Sequence, residues 1–196
     1  MKKGLLIAFA SLMLATSAWA GAPYVGIYAT NVAESDAPHS ICSIYPEPET
    51  EVFVMWIWIL PSPAGLSAYE FKLKTPTGLG WMQDEYGVPV GTGEEWNPYI
   101  TIKDGSWTGN GQKGAFPESY CMTDWTWIYK RWYITYSSTA RIFQILPHVD
   151  TGHIYIASCE PGHPLYDGTV LTHLYMFQPC VYATQESTWG AIKSMF

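Results

Sequence analysis

Four of the five histidines fall between His148 and His173, and the first two bracket an aspartate in His148-Val-Asp150-Thr-Gly-His153. Imidazole and carboxylate at short spacing are the groups that converge on a zinc or copper ion. His148, Asp150 and His153 are therefore the metal candidates. Asp150-Thr-Gly152 also reads as a turn, which would send the two histidines to different strand ends, so no metal is expected. Two carboxylate pairs, Asp84-Glu85 and Glu94-Glu95, are of the kind that flanks a glycosidic bond in hydrolysis. Adjacent acids in a glycine-rich stretch are more ordinarily solvated surface. The chain carries no Gly-x-Ser-x-Gly elbow and no cysteine–histidine pairing for nucleophilic work. Asp104, Ser106 and Asn110 offer oxygens, but their spacing departs from a calcium-binding loop and suits a plain turn. Nothing here marks catalysis, and no cofactor is expected.

Aromatic content is the unusual feature, with ten tryptophans and fourteen tyrosines. Flat rings offer a sugar or a protein partner large contact area at low entropic cost. Trp81, Trp96, Tyr99 and Trp107 lie in the polar, glycine-rich middle and are the ligand-binding candidates. Trp56, Trp58, Trp125 and Trp127 lie in apolar runs and are expected in the core or on a sheet face.

The elements that would position these residues are strands. Val52–Leu60 is apolar at every position, which suits a strand covered on both faces or a central strand whose outer face carries aromatics. After the Pro61–Gly65 breaker, Tyr69–Lys74 alternates, with Tyr69, Phe71 and Leu73 inward and Glu70, Lys72 and Lys74 outward. From Thr75 to Ser119 regularity weakens; only Tyr99–Ile102 reads as a strand, and Asp104–Gly114 reads as a glycine loop. Asp124–Tyr136 is a long strand, with Trp125, Trp127, Tyr129, Arg131 and Tyr133 on one face and Ile128, Lys130, Trp132 and Ile134 on the other. Further strands are expected at Tyr24–Ala29, Ile41–Tyr45, Arg141–Leu146, His153–Ala157 and Val170–Phe177. Many short strands between Gly/Pro turns predict an all-β fold, a single antiparallel β-sandwich of the immunoglobulin-like kind. One short helix is expected at the end, capped by Ser187 or Thr188 and placing Trp189, Ile192 and Phe196 on one face.

The N-terminus supplies the compartment. Lys2 and Lys3, the apolar run from Leu5 to Leu14 and Ala18-Trp19-Ala20 make the three-part layout of a secretory signal peptide. The run is too short to span a bilayer, which needs about 20 apolar residues. The expected division is a signal peptide over 1–20, a sandwich domain over 21–186 and a helical segment or tag over 187–196. In an exported chain, Cys42, Cys121, Cys159 and Cys180 point to two disulfides rather than a zinc site, which would want close C-x-x-C spacing. Four cysteines allow three pairings. Cys159 with Cys180 is the expected one, because the strands they flank would pair locally, leaving Cys42 with Cys121. A net charge of −7, more acidic still without the leader, leaves no footprint for nucleic acid. No later segment is long and apolar enough to span a membrane.

Tyr24-Val-Gly-Ile-Tyr28, the strand pair Val52–Leu60 and Ala68–Leu73, Ile145–His148, His153–Cys159 and the ending Ser187–Lys193 occur in an order that resembles a family of small exported bacterial β-sandwich proteins. Chains of that family end in Thr-Trp-Gly-x-Ile-Lys, here Thr188, Trp189, Gly190, Ile192 and Lys193. More distantly, Gly65-x-x-x-x-Glu70-Phe71-x-Leu73 after a strand is similar to cohesin-like sandwiches. The resemblance implies fold and export and carries no activity. The chain departs from the pattern in its aromatic strand around Trp125–Tyr136 and in stopping at Phe196. The reading is of a non-enzymatic, exported binding or surface-structure module with a protein partner. A carbohydrate-binding module is the alternative, and a small hydrolase is a third.

Overall fold

In the computed structural model, residues 23–31, 41–86, 88–89, 96–97, 102–117 and 120–181 are described. The leader, Tyr99, Glu94-Glu95 and the whole 187–196 segment, with its expected helix and its motif residues, lie outside them.

Two sheets face each other. The first, sheet A, has the order β14-β1-β3-β10-β5. Its strands are β1 (Tyr24–Asn31), β3 (Val52–Leu60), β5 (Leu79–Tyr86), β10 (Thr126–Thr135) and β14 (Thr169–Thr172). The second, sheet B, has the order β13-β12-β4-β11-β15-β2, with a β8–β9 hairpin joined to β4 through β9. Its strands are β2 (Ser43–Ile44), β4 (Ala68–Lys74), β8 (Ile102–Ser106), β9 (Gly111–Ala115), β11 (Arg141–Leu146), β12 (Tyr155–Ala157), β13 (Leu165–Asp167) and β15 (Leu174–Met176). A small pair, β6 (Val88–Pro89) with β7 (Trp96–Asn97), forms a separate two-stranded sheet. Pairing is antiparallel except for β1 with β14 and β15 with β2. The described residues contain no helix, and the fold is an all-β sandwich.

The core lies between the sheets, as alternation dictates. From sheet A come Phe53, Met55, Ile57 and Ile59, and from sheet B Tyr69, Phe71, Leu73, Phe143, Ile145 and Leu174, all almost fully buried. β3 is thus a central strand with aromatics outside, the second of the two forms that its unbroken apolar run allows. β10 departs from simple alternation. A bulge between Trp127 and Tyr129 adds one residue opposite β3, and an extra residue exchanges faces beyond it. Ile128 therefore joins Tyr129 and Tyr133 in the core, whereas Trp127 lies outside with Lys130 and Trp132.

The disulfides are Cys42–Cys180 and Cys121–Cys159, not the expected Cys159–Cys180 and Cys42–Cys121. The local pairing fails because Val170–Phe177 is not one strand. β13 pairs with β12, the chain then crosses to sheet A as β14, and it returns as β15 beside β11 and β2. Tyr175 lies in register with Ser43, which carries Cys180 to Cys42 and leaves Cys159 for Cys121.

At the crossing, the ring of His173 substitutes for a strand carbonyl: its Nδ1 accepts from the Ile145 amide at 3.3 Å. Burial pushes this imidazole below its ordinary value of 6.5. The unfolded chain therefore binds this proton more readily than the folded one, so its contribution to stability is complete above about pH 6.5 and declines as pH falls below it. We expect the melting temperature to drop on acidification from pH 7 to pH 5, and His173→Gln to flatten that dependence. An unchanged slope in the variant would remove His173 from the account.

Candidate functional site

The two outer faces differ in chemistry. On sheet A, Val54, Trp56 and Trp127 are only 3% exposed, with Trp58 and Trp132 packed against them. The Trp56 indole donates to the Thr30 hydroxyl at 3.0 Å. Lys130 Nζ lies 5.1, 5.3 and 4.8 Å from the ring centroids of Trp56, Trp127 and Trp132, within cation–π range. Trp56 meets Trp127 at 84° and Trp58 at 35°. These rings are packed upon one another and form no coplanar strip for a sugar.

Sheet B faces outward differently. Because Tyr69, Phe71 and Leu73 point inward, Ala68, Glu70, Lys72 and Lys74 of β4 point outward. Cross-strand register assembles two rows on this face. One is Ala115, Ala68, Ala157 and Leu165, and beside it run Lys113, Glu70, Tyr155 and Asp167. The alanine row floors a shallow depression of about 150 Å³ that Tyr155, Leu165, Glu70 and Lys113 border. Leu165 is 60% exposed.

The polar row is held in place. Glu70 accepts the Thr151 hydroxyl at 2.7 Å and lies 3.6 Å from Lys113 Nζ and 3.3 Å from His148 Nδ1. His153 stacks on Tyr155 at 4.7 Å, with its Nδ1 3.0 Å from Asp167. The candidate metal residues are thus divided between partners. His148 is buried against Glu70, and His153 lies over Tyr155, although the His148 amide donates to the His153 carbonyl across their turn. Asp150 Oδ2 is 3.9 Å from His148 Nδ1. Among the described residues, no three His, Cys, Asp or Glu side chains converge as metal ligands.

Of the ligand-binding aromatics, Trp81 is 62% exposed beside Met82, with the Arg131 guanidinium 5.1 Å from its ring. Trp96 lies in β7. Trp107 is a correction, being core at 3% exposure. Its carbonyl accepts the Leu73 amide at 2.8 Å, which draws the β8–β9 turn onto β4 and its ring against Tyr69 at 5.9 Å and 2°. Ser106 is the last residue of β8 and Asn110 lies in the turn that follows, where its carbonyl accepts the Val149 amide. Asp84 and Glu85 are successive residues of β5, in register with Arg131 and Lys130.

The alanine row has no signature in the sequence. Each alanine reads as an unremarked small residue, and only the pairing of three distant strands sets them side by side.

No protein-family model and no curated protein matches the chain. Solved structures do. A type II cohesin domain from the cellulosome of Acetivibrio cellulolyticus aligns with a TM-score of 0.51 at 6% identity, over 80% of this chain and 95% of that one. CaCohA2 of Clostridium acetobutylicum, in its complex with a CaDoc0917 variant, aligns at 0.52 and 7% identity, over 79% and 97%. A non-cellulosomal cohesin from the archaeon Archaeoglobus fulgidus aligns at 0.49 and 8%, over 85% and 95%. The fold is a cohesin-like β-sandwich.

Proposed function

We propose that the chain is an exported, non-enzymatic protein-binding module that meets its partner through the outer face of sheet B. The contrast between the two outer faces carries this reading. Sheet A packs Trp56, Trp58, Trp127 and Trp132 on one another around Lys130 and exposes Trp81 on its edge strand β5, whereas sheet B leaves Leu165 and an apolar depression open beside fixed charges. An apolar centre with a polar surround is the composition of a protein-contact patch. The cohesin-like fold supports it, since CaCohA2 was solved with a protein bound. Export is supported by the leader-like N-terminus and by two disulfides, which persist in oxidising compartments.

The test is site-specific photo-crosslinking in the cells that produce the protein. A photoreactive residue at Leu165 should give a discrete protein adduct. One at Tyr136, comparably exposed but just past the end of β10 in sheet A, should not. Adducts from Tyr136 alone would move the interface to sheet A. No adduct from either position would end the protein-binding reading.

A carbohydrate-binding reading keeps one observation in its favour, the open face of Trp81. Glycan binding that Trp81→Ala abolishes would establish it.

A further inference from the structure

We infer that the depression on sheet B is an anchor pocket for one bulky apolar side chain, aliphatic or aromatic, presented by the protein partner. The inference rests on the protein-binding reading above. Alanine is depleted in strands, because it has little side chain to pack against cross-strand neighbours. Ala115, Ala68 and Ala157 nonetheless occupy three successive outward positions in register across β9, β4 and β12. A row of alanines adds little to sheet stability and lowers the surface locally, between the larger side chains of Leu165, Tyr155, Glu70 and Lys113.

The size and lining define the occupant. About 150 Å³ is the volume at which an apolar protein cavity accepts a benzene-sized molecule, so a single leucine or phenylalanine side chain fills it. A sugar ring would find methyl groups on the floor and hydrogen-bonding groups on the rim alone. A lipid tail would outrun a shallow dish. The rim adds a charge preference: Lys113 is 40% exposed, and its partner Glu70 is 16% exposed and already engaged by Thr151. The open side of the ammonium therefore favours an acceptor, a backbone carbonyl or a carboxylate, next to the anchor residue. Central apolar anchors in such pockets carry much of the energy of protein interfaces.

The experiment uses the leaderless chain with methyl-labelled alanines and NMR titration. The probes are N-acetyl-phenylalaninamide, N-acetyl-leucinamide and, as a polar control, N-acetyl-asparaginamide. Saturable shifts confined to the Ala68, Ala115 and Ala157 methyls are expected with the two apolar probes and not with the control. Ala115→Leu, which fills the dish from its own strand, should weaken the response at Ala68 and Ala157 at least tenfold. Leu165→Asn, at an exposed edge position, should weaken it severalfold and guards against misfolding of the first variant. Absence of saturable alanine shifts, or an equal response to the asparagine probe, overturns the pocket. If crosslinking from Leu165 succeeds while the alanines stay silent, the interface stands and the anchor falls. If the alanines respond but no crosslinked protein forms, the pocket stands and the protein-binding reading falls.

Discussion

Serine at both Cys42 and Cys180 is expected to destabilise the folded chain more than serine at both Cys121 and Cys159. A disulfide limits the freedom of the unfolded chain, and the effect grows with the length of the loop it closes. The separations are 138 and 38 residues. On the chain-entropy account these correspond to about 5 and about 4 kcal/mol, a large part of the stability of one domain. Position reinforces the order. Cys42–Cys180 holds the end of β15 to the two-residue strand β2, which has little pairing of its own. Cys121–Cys159 fastens a segment that also has the Leu66–Met122 bridge. Denaturant unfolding of the two double variants under oxidising conditions gives the comparison directly, and an equal or reversed order would refute it. The second bridge carries a tight local requirement of its own. Gly65 has φ +88°, and a Cβ there would collide with Cys121 Sγ. Gly65→Ala should therefore weaken this end of the sandwich in the disulfide-bonded protein, through both strain and collision.

The architecture was legible wherever local pattern and global pairing agree. Val52–Leu60 and Arg141–Leu146 have the strand limits expected of them, because apolar runs between breakers leave few alternatives. Alternation in Tyr69–Lys74 correctly orients the face that carries the alanine row. Three things were not legible, each for a physical reason. The β10 bulge leaves no local signal, since Trp127 and Ile128 are both at home on either face. β5 and β9 hold Gly80, Gly111 and Gly114, which read as turn residues; in the sheet Gly80 and Gly114 make room for the Tyr136 and Tyr69 rings. The disulfide pairing depends on a strand that changes sheets at His173, a tertiary event. The candidate site suffers from the same dependence. Ala68, Ala115 and Ala157 become a pocket only when β9, β4 and β12 are in register.

Trp107→Ala is expected to cost about 3–5 kcal/mol of stability, the range for truncating a buried large aromatic, whereas Trp81→Ala should stay within about 0.5 kcal/mol. Both residues lie in the glycine-rich middle of the chain and read alike in sequence, but they are 3% and 62% exposed. Trp107 has aromatic neighbours on several sides, with ring centroids 5.9 Å away at Tyr69, 5.2 Å at Phe71 and 5.1 Å at Tyr129. It therefore joins β4 of one sheet to β10 of the other. Its indole N–H finds no acceptor among the described residues, so the ring contributes through volume and contact rather than hydrogen bonding. Trp107→Phe should consequently cost much less than Trp107→Ala, because it keeps most of the packing and removes a buried donor with no acceptor among the described residues. A ligand platform would behave in the opposite way: Trp107→Phe would leave unfolding unchanged and weaken binding. Comparing denaturation midpoints for the alanine and phenylalanine variants, with the alanine-methyl titration as the binding readout, separates the two roles. A stable Trp107→Ala protein would mean that the hairpin does not close this part of the core. Since that hairpin carries Lys113 and Ala115 on β9, the alanine row would then lose one of its three strands.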